Sequence, residues 1–324
     1  MRRAAIARKS SPAAPIAARP TLPGVRAVLR RRLLGVAVAV LAVGALHPDG
    51  AAQQRYRASG QEVVPAYEGW ERNADGSYNL VFGTMNRNWG ETHHIPIGPD
   101  NRIEPGGPDR GQPTFFLPRR NRFLFRIPVP ADFGDREIVW TLNSPNGKTY
   151  KAYATLKPDY FIDDFVVQRN SGLRTRDVVN PNTPPVLEVE GERTRTARVG
   201  EPVTLTAFAS DDGVPEQRPL RALDPSRAGN NTVPVTATGL RLSWFVYRGA
   251  GDAVTFDPVQ TKVWEDTRPN SNSPWGYGWE TPPVPPGGKW VARATFAEPG
   301  TYVLRCRAHD GGLKATEDVT FVVE

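Results

Sequence analysis

The chain has 324 residues, of which 30 are Gly, 32 are Pro, two are Met and one is Cys. That length holds about two domains beside a leader, and the Gly and Pro content suits short strands joined by many turns. A disulfide scaffold, a Cys-rich zinc module and a long charged coiled coil are excluded. The formal net charge of +7 is uneven: residues 1–52 carry nine Lys or Arg and one acid, which leaves 32 basic and 33 acidic residues for the rest. With no basic stripe beyond the leader there is no footprint for phosphate neutralisation, so nucleic acid is not expected as a partner.

Arg30, Arg31 and Arg32 stand before an uncharged, mostly apolar run at 33–46, and Gly50, Ala51 and Ala52 follow. This is the order of a secretory signal: basic, apolar, then small residues. The run is shorter than the roughly 18–20 residues that span a bilayer. Cleavage after Ala52 and a periplasmic or extracellular product are expected, and only an uncleaved leader would hold the chain to a membrane.

From Glu62 the chain reads as short strands bounded by turn residues. Segments 67–72 and 77–85 flank Asn73-Ala74-Asp75-Gly76, and segments 138–142 and 149–155 flank Ser144-Pro145-Asn146-Gly147, two hairpin signatures. Phe123, Phe125, Ile127 and Val129 recur with period two. With 92–97 and 114–117 added, residues 60–168 hold the seven strands or so that an immunoglobulin-like sandwich requires. The predicted fold class is all-β: two tandem immunoglobulin-like β-sandwiches after a cleavable signal peptide at 1–52. The first sandwich covers 60–168, a polar linker 169–180, and the second sandwich 181–324. Few contacts are expected across the polar, Pro-rich break, so the two should fold separately.

In the second region strands are expected at 186–189, 202–209, 240–247, 292–296, 300–308 and 318–323, with long insertions at 214–239 and 264–290. Asn182 with Pro184-Pro185, Gly200, the Asp211-Asp212-Gly213 turn, Trp244, Pro299-Gly300-Thr301-Tyr302 and Asp310-Gly311 occur in an order that resembles the polycystic-kidney-disease (PKD) type of immunoglobulin-like domain. The resemblance implies a non-catalytic extracellular module for adhesion, spacing or ligand display. The pattern departs from the family at the two insertions and at Tyr247-Arg248-Gly249-Ala250-Gly251, where Gly-Asp-Gly is usual.

Strand order places the loop after the second strand and the loop before the last strand at one end of such a sandwich. Asp211, Asp212 and Asp310 would there meet Asn182, an all-oxygen set suited to calcium. The competing reading is that these Asp side chains cap their own turns. The insertion at 264–290 holds Trp264, Trp275, Tyr277, Trp279 and Trp290, half of the chain's eight Trp among them; it is either a sugar- or protein-binding platform or a lid packed on the core. Arg119, Arg120 and Arg122 follow an irregular Gly/Pro-rich stretch at 98–113 and are suited either to an acidic glycan or partner carboxylate or to a solvated rim. The adjacent His93 and His94 would point to opposite faces of a strand and so cannot share one metal without a bulge.

Nucleophile-elbow, zincin, P-loop and dinucleotide-binding motifs are absent from the sequence. The function expected is therefore non-catalytic binding or structural support at the bacterial cell envelope, with a protein or glycan as partner. The alternative is an accessory carbohydrate-binding protein using the aromatic insertion.

Overall fold

The computed structural model describes residues 57–173, 181–218 and 235–324. The leader, most of the expected linker and the middle of the first insertion lie outside these residues.

The first sandwich is built from β1 (Val63–Arg72), β2 (Tyr78–Asn86), β3 (His93–His94), β4 (Asn101–Glu104), β5 (Phe115–Phe116), β6 (Arg119–Val129), β7 (Ile138–Asn143) and β8 (Thr149–Ala154). One sheet has the order β1-β2-β6 and the other β4-β7-β8, with β3 and β5 forming a short ribbon. β4 lies inside the stretch read as irregular from its Pro and Gly. Between the sheets, Phe82 and Phe125 stack at 5.2 Å, and Trp140 meets both edge-on. The buried indole N–H of Trp140 donates to Asn101 Oδ1 at 2.9 Å, so the largest core side chain leaves no unpaired donor.

Helix α1 (Asp164–Asn170) follows, its first turn capped by Asp163 accepting from the Val166 amide. The second sandwich holds β9 (Val186–Val189), β10 (Thr194–Ala197), β11 (Val203–Ser210), β12 (Arg241–Arg248), β13 (Val254–Asp257), β14 (Lys289–Phe296), β15 (Gly300–His309) and β16 (Lys314–Val323). Its sheets run β13-β14-β11-β9 and β10-β16-β15-β12. Only β10, on β16, pairs in parallel. Apart from that switched first strand, the order is the two-sheet arrangement of an immunoglobulin domain. Trp244, Phe296, Tyr302 and Phe321 fill the centre. At the start of β15 the Tyr302 hydroxyl donates to Glu298 O at 2.9 Å, a tyrosine corner of the kind these sandwiches carry. Cys306 is fully buried opposite Trp244, and burial pushes its thiol pKa up.

The expectation of few contacts between the sandwiches is not met. Residues 56–324 form one compact unit. The first sandwich lies against the outer face of the β12-β15-β16 strands. Arg248 forms a two-bond pair with Asp109 at 2.7 and 3.0 Å and donates to Gln112 O. Tyr247 Oη donates to Gly111 O at 2.6 Å, and Arg305 Nη1 to Leu124 O at 2.6 Å. Gly251 sits against the Phe115 ring so closely that an added Cβ would lie 2.4 Å from Cε1.

Candidate functional site

Four residues proposed for calcium lie at the end of the second sandwich where the chain enters it. Asp310 is fully buried. Its Oδ1 accepts the amide of Gly312 and, at 2.7 Å, that of Leu313. Gly312 packs closely here: a Cβ would lie 2.7 Å from Asn182 Nδ2 and 2.8 Å from Leu173 Cδ1, so those side chains would have to shift. Asn182 Nδ2 donates to Gln168 of α1 at 2.9 Å, so the corner also touches the helix leaving the first sandwich. Asp211 Oδ2 accepts from Gly213 N at 3.1 Å.

After these bonds, Asp310 Oδ2, Asp211 Oδ1 and Asn182 Oδ1 remain buried without a hydrogen-bond partner. Burial pushes the Asp310 pKa up to about 6 against the pull of the Gly312 and Leu313 amides and, more weakly, of the Asn182 side chain, and the charge of Asp211 adds to the rise. Burial likewise raises Asp211, with Asp212 contributing. Asp212 stands apart. Both its oxygens cap the turn, Oδ2 taking the amide and hydroxyl of Thr183 at 2.9 and 2.7 Å and Oδ1 the Val214 amide at 2.8 Å. Against a desolvation cost, these bonds hold its pKa below the usual range. Among the described residues no three of His, Cys, Asp and Glu gather as a metal site, so an ion here would rest on two carboxylates and one amide oxygen. Hard oxygen donors of this kind fit calcium, which completes its shell with carbonyls and water.

The three arginines diverge. Arg119 lies over the Trp89 ring at 4.1 Å and donates to Arg87 O at 3.0 Å. Arg120 pairs with buried Glu68 at 2.7 Å, and Arg122 with Glu265 of the insertion at 2.8 Å. They lie within β6 rather than on a loop rim. β6 loses register with β2 between Phe82 and Thr84, and Phe123 takes a φ of 49°. This bulge frees the carbonyls of Arg122 and Leu124 to accept from Lys314 and Arg305 of the second sandwich. Phe123 itself packs in a small cluster with Val81, Ile162, Val167 and Leu313.

The aromatic insertion folds down. Of its five rings only Tyr277, at 43% exposure, is open; the four Trp are half-buried. No two of the five form an aromatic pair: Trp279 meets Arg241, Trp264 meets Lys262, and Trp290 lines a recess beside Trp244. Buried Asp266, held by Lys262 at 2.8 Å and Arg268 at 2.7 Å, anchors the loop. His93 lies 3.6 Å from Glu91 and 3.3 Å from Asn88 Nδ2, while His94 is exposed. His309 is buried with its Nδ1 accepting the Gly311 amide at 2.8 Å.

No family model matches the chain, and no curated protein matches it. Among solved structures, the chain is similar to the fibronectin(III)-like modules of Clostridium thermocellum CbhA, at 11% identity over 81% of this chain and 94% of that one, with a TM-score of 0.21. It is similar to the D00-D0 domain of Intimin, at 11% identity over 80% and 99%, with a TM-score of 0.22. Sidekick-1 immunoglobulin domains 1–4 match at 13% identity over 82% of this chain and 51% of that one, with a TM-score of 0.21. With superposition this loose, strand order and register remain the basis of the immunoglobulin-like fold.

Proposed function

We propose that the chain is an exported, non-catalytic binding or structural module of the cell envelope, with a second sandwich of the PKD type and a calcium ion at the Asn182, Asp211 and Asp310 corner. The observation that carries this reading is the set of three buried oxygens without partners at the point where the linker enters. Like charges brought together out of water are costly unless a cation neutralises them. Because Asn182 is bonded to α1 and Asp310 to the β15–β16 turn, an ion here would tie both sandwiches into one body. A fixed pair of sandwiches suits spacing, adhesion or display of a protein- or glycan-binding surface. The groups most suited to chemistry are taken up in the fold: Cys306 is buried, and His309 is held by a backbone amide.

Calcium bound only by the native state raises the melting temperature by mass action. Melting in chelator and in calcium at about 1–5 mM, above the range of extracellular modules of about 10⁻⁴–10⁻³ M, is expected to differ by several degrees. Superimposable curves would leave turn capping as the role of these acids. Export is tested by N-terminal sequencing of the chain from the periplasm or medium, which is expected to begin at Gln53.

A further inference from the structure

β15 alternates Leu304, Cys306 and Ala308 on the core face with Arg305, Arg307 and His309 on the other. Strand register sets His309 directly between Arg241 of β12 and Lys314 of β16, with Arg307 two positions along. These basic side chains are covered by β6, α1 and the insertion rather than bathed in water. Arg305 is balanced by Asp318 at 2.6 Å. Arg307 has a bond from Nη2 to Val263 O at 2.7 Å, and Lys314 one to Arg122 O at 2.7 Å; among the described residues neither has a carboxylate in ion-pair range.

These two groups border a partly open cavity of about 40 Å³, which Arg120, Arg122, His309, Trp275 and the carboxylate of Glu265 also line. Arg120 and Arg122 are each neutralised by a carboxylate, Glu68 and Glu265. His309 is neutral, since its Nδ1 accepts a backbone amide, and this leaves Nε2 as a donor. The cavity wall thus carries a guanidinium and an amine that no carboxylate pairs with, several N–H donors, and space for about three waters. Burial together with the charges of Arg307, Arg126 and Arg305 pulls the Lys314 pKa well down, opposed by Glu68. A buried cation without a counter-charge is costly, and an anion small enough to enter would offset that cost and favour the charged form of Lys314.

We propose that this cavity at the junction of the two sandwiches binds a tetrahedral dianion, sulfate or hydrogen phosphate, held by Arg307, Lys314 and His309. Bidentate guanidinium contacts to such an oxyanion are among the stronger charge-assisted bonds. Occupancy bridges the sandwiches, because Lys314 and Arg307 belong to the second and Arg122 to the first.

Isothermal titration of the full mature chain with sodium sulfate, at constant ionic strength and in chelator, tests this separately from calcium. Saturable single-site heat is expected, with affinity weakened about tenfold or more in Arg307→Gln, the size of one charged hydrogen bond. Lys314→Met serves as a second variant where Arg307→Gln does not fold. Parallel titrations with phosphate and acetate define the anion: phosphate is expected to compete with sulfate, and acetate to bind weakly. General salting-in or salting-out by sulfate is not saturable. Absence of saturable heat, unchanged affinity in both variants, or tighter binding of acetate than of sulfate would overturn the proposal.

Discussion

The two sheets of the second sandwich use similar strands in different surroundings. In β14, Ala292, Ala294 and Phe296 face the core while Val291 is 52% exposed, the alternation of a sheet with one face in water. In β12, seven consecutive residues from Arg241 to Tyr247 are buried. A strand buried on both faces lies under a second layer, here the first sandwich with the aromatic insertion. That covered face carries basic side chains: Arg305 and Lys314 donate to carbonyls turned outward at the bulge of β6, Arg307 donates to Val263 O, and Arg305 also pairs with Asp318.

The sharpest way to break this contrast is to remove the cover. Residues 181–324 expressed alone would expose Phe245, Tyr247 and the cationic row, and are expected to aggregate or to lose a cooperative melting transition in circular dichroism. A soluble fragment melting like the whole chain would mean that the junction contributes little. The next largest effect is expected for Arg305→Met. It removes two bonds to Asp318, the bond to Leu124 O and the contact with the Tyr247 ring at 3.5 Å. A loss of about 3 kcal/mol in urea unfolding is expected for breaking a largely buried pair.

The strands of the core were legible in sequence because inward positions recur every second residue, and the hairpins because their turns carry Asp-Gly and Asn-Gly. β10 and β13 were missed, being four-residue edge strands with little alternation. The oxygen corner was legible through strand order alone. The junction was not, because basic residues alternating with apolar ones, as Arg305, Arg307 and His309 do, are what any strand with one solvated face carries. The signal for it lies in Phe245 and Tyr247, two large rings on the outward side of β12. Arg120 and Arg122 stand out as a cluster in the sequence, but the bulge beside them in β6 is a backbone event centred on Phe123 that no residue type announces.

At the edge of the covered face, Asp310 gives a sign test. Its carboxyl has a pKa of about 6 in the folded chain against 3.8 ordinarily. The native state therefore binds the proton more tightly, so without metal its stability is greatest below the lower value, falls as pH rises through 6, and then levels off. In chelator at pH 7.5, Asp310→Asn is expected to raise stability by up to about 3 kcal/mol, a gain that disappears near pH 4. In calcium the same substitution is expected to lower the melting temperature, because a charged ligand is lost. A change of the same sign in both media at pH 7.5 would show that no ion is held there.

The smallest effect is expected from Arg293→Ala on the open sheet. Arg293 pairs with Asp257 at 2.9 Å, in direct register across β13 and β14, just as Arg305 faces Asp318 across β15 and β16. Chemistry and register are alike, while exposure differs: the open pair is 60% and 70% exposed, and the Arg305 side chain is 9% exposed. Water and salt screen the open pair, and holding two long side chains in one geometry offsets its Coulomb gain, so a change of about 0.5 kcal/mol or less is expected. Urea unfolding at low and high salt measures both arginines on one scale. A loss for Arg293→Ala as large as that for Arg305→Met would mean that the covering layer is not what sets the strength of these pairs.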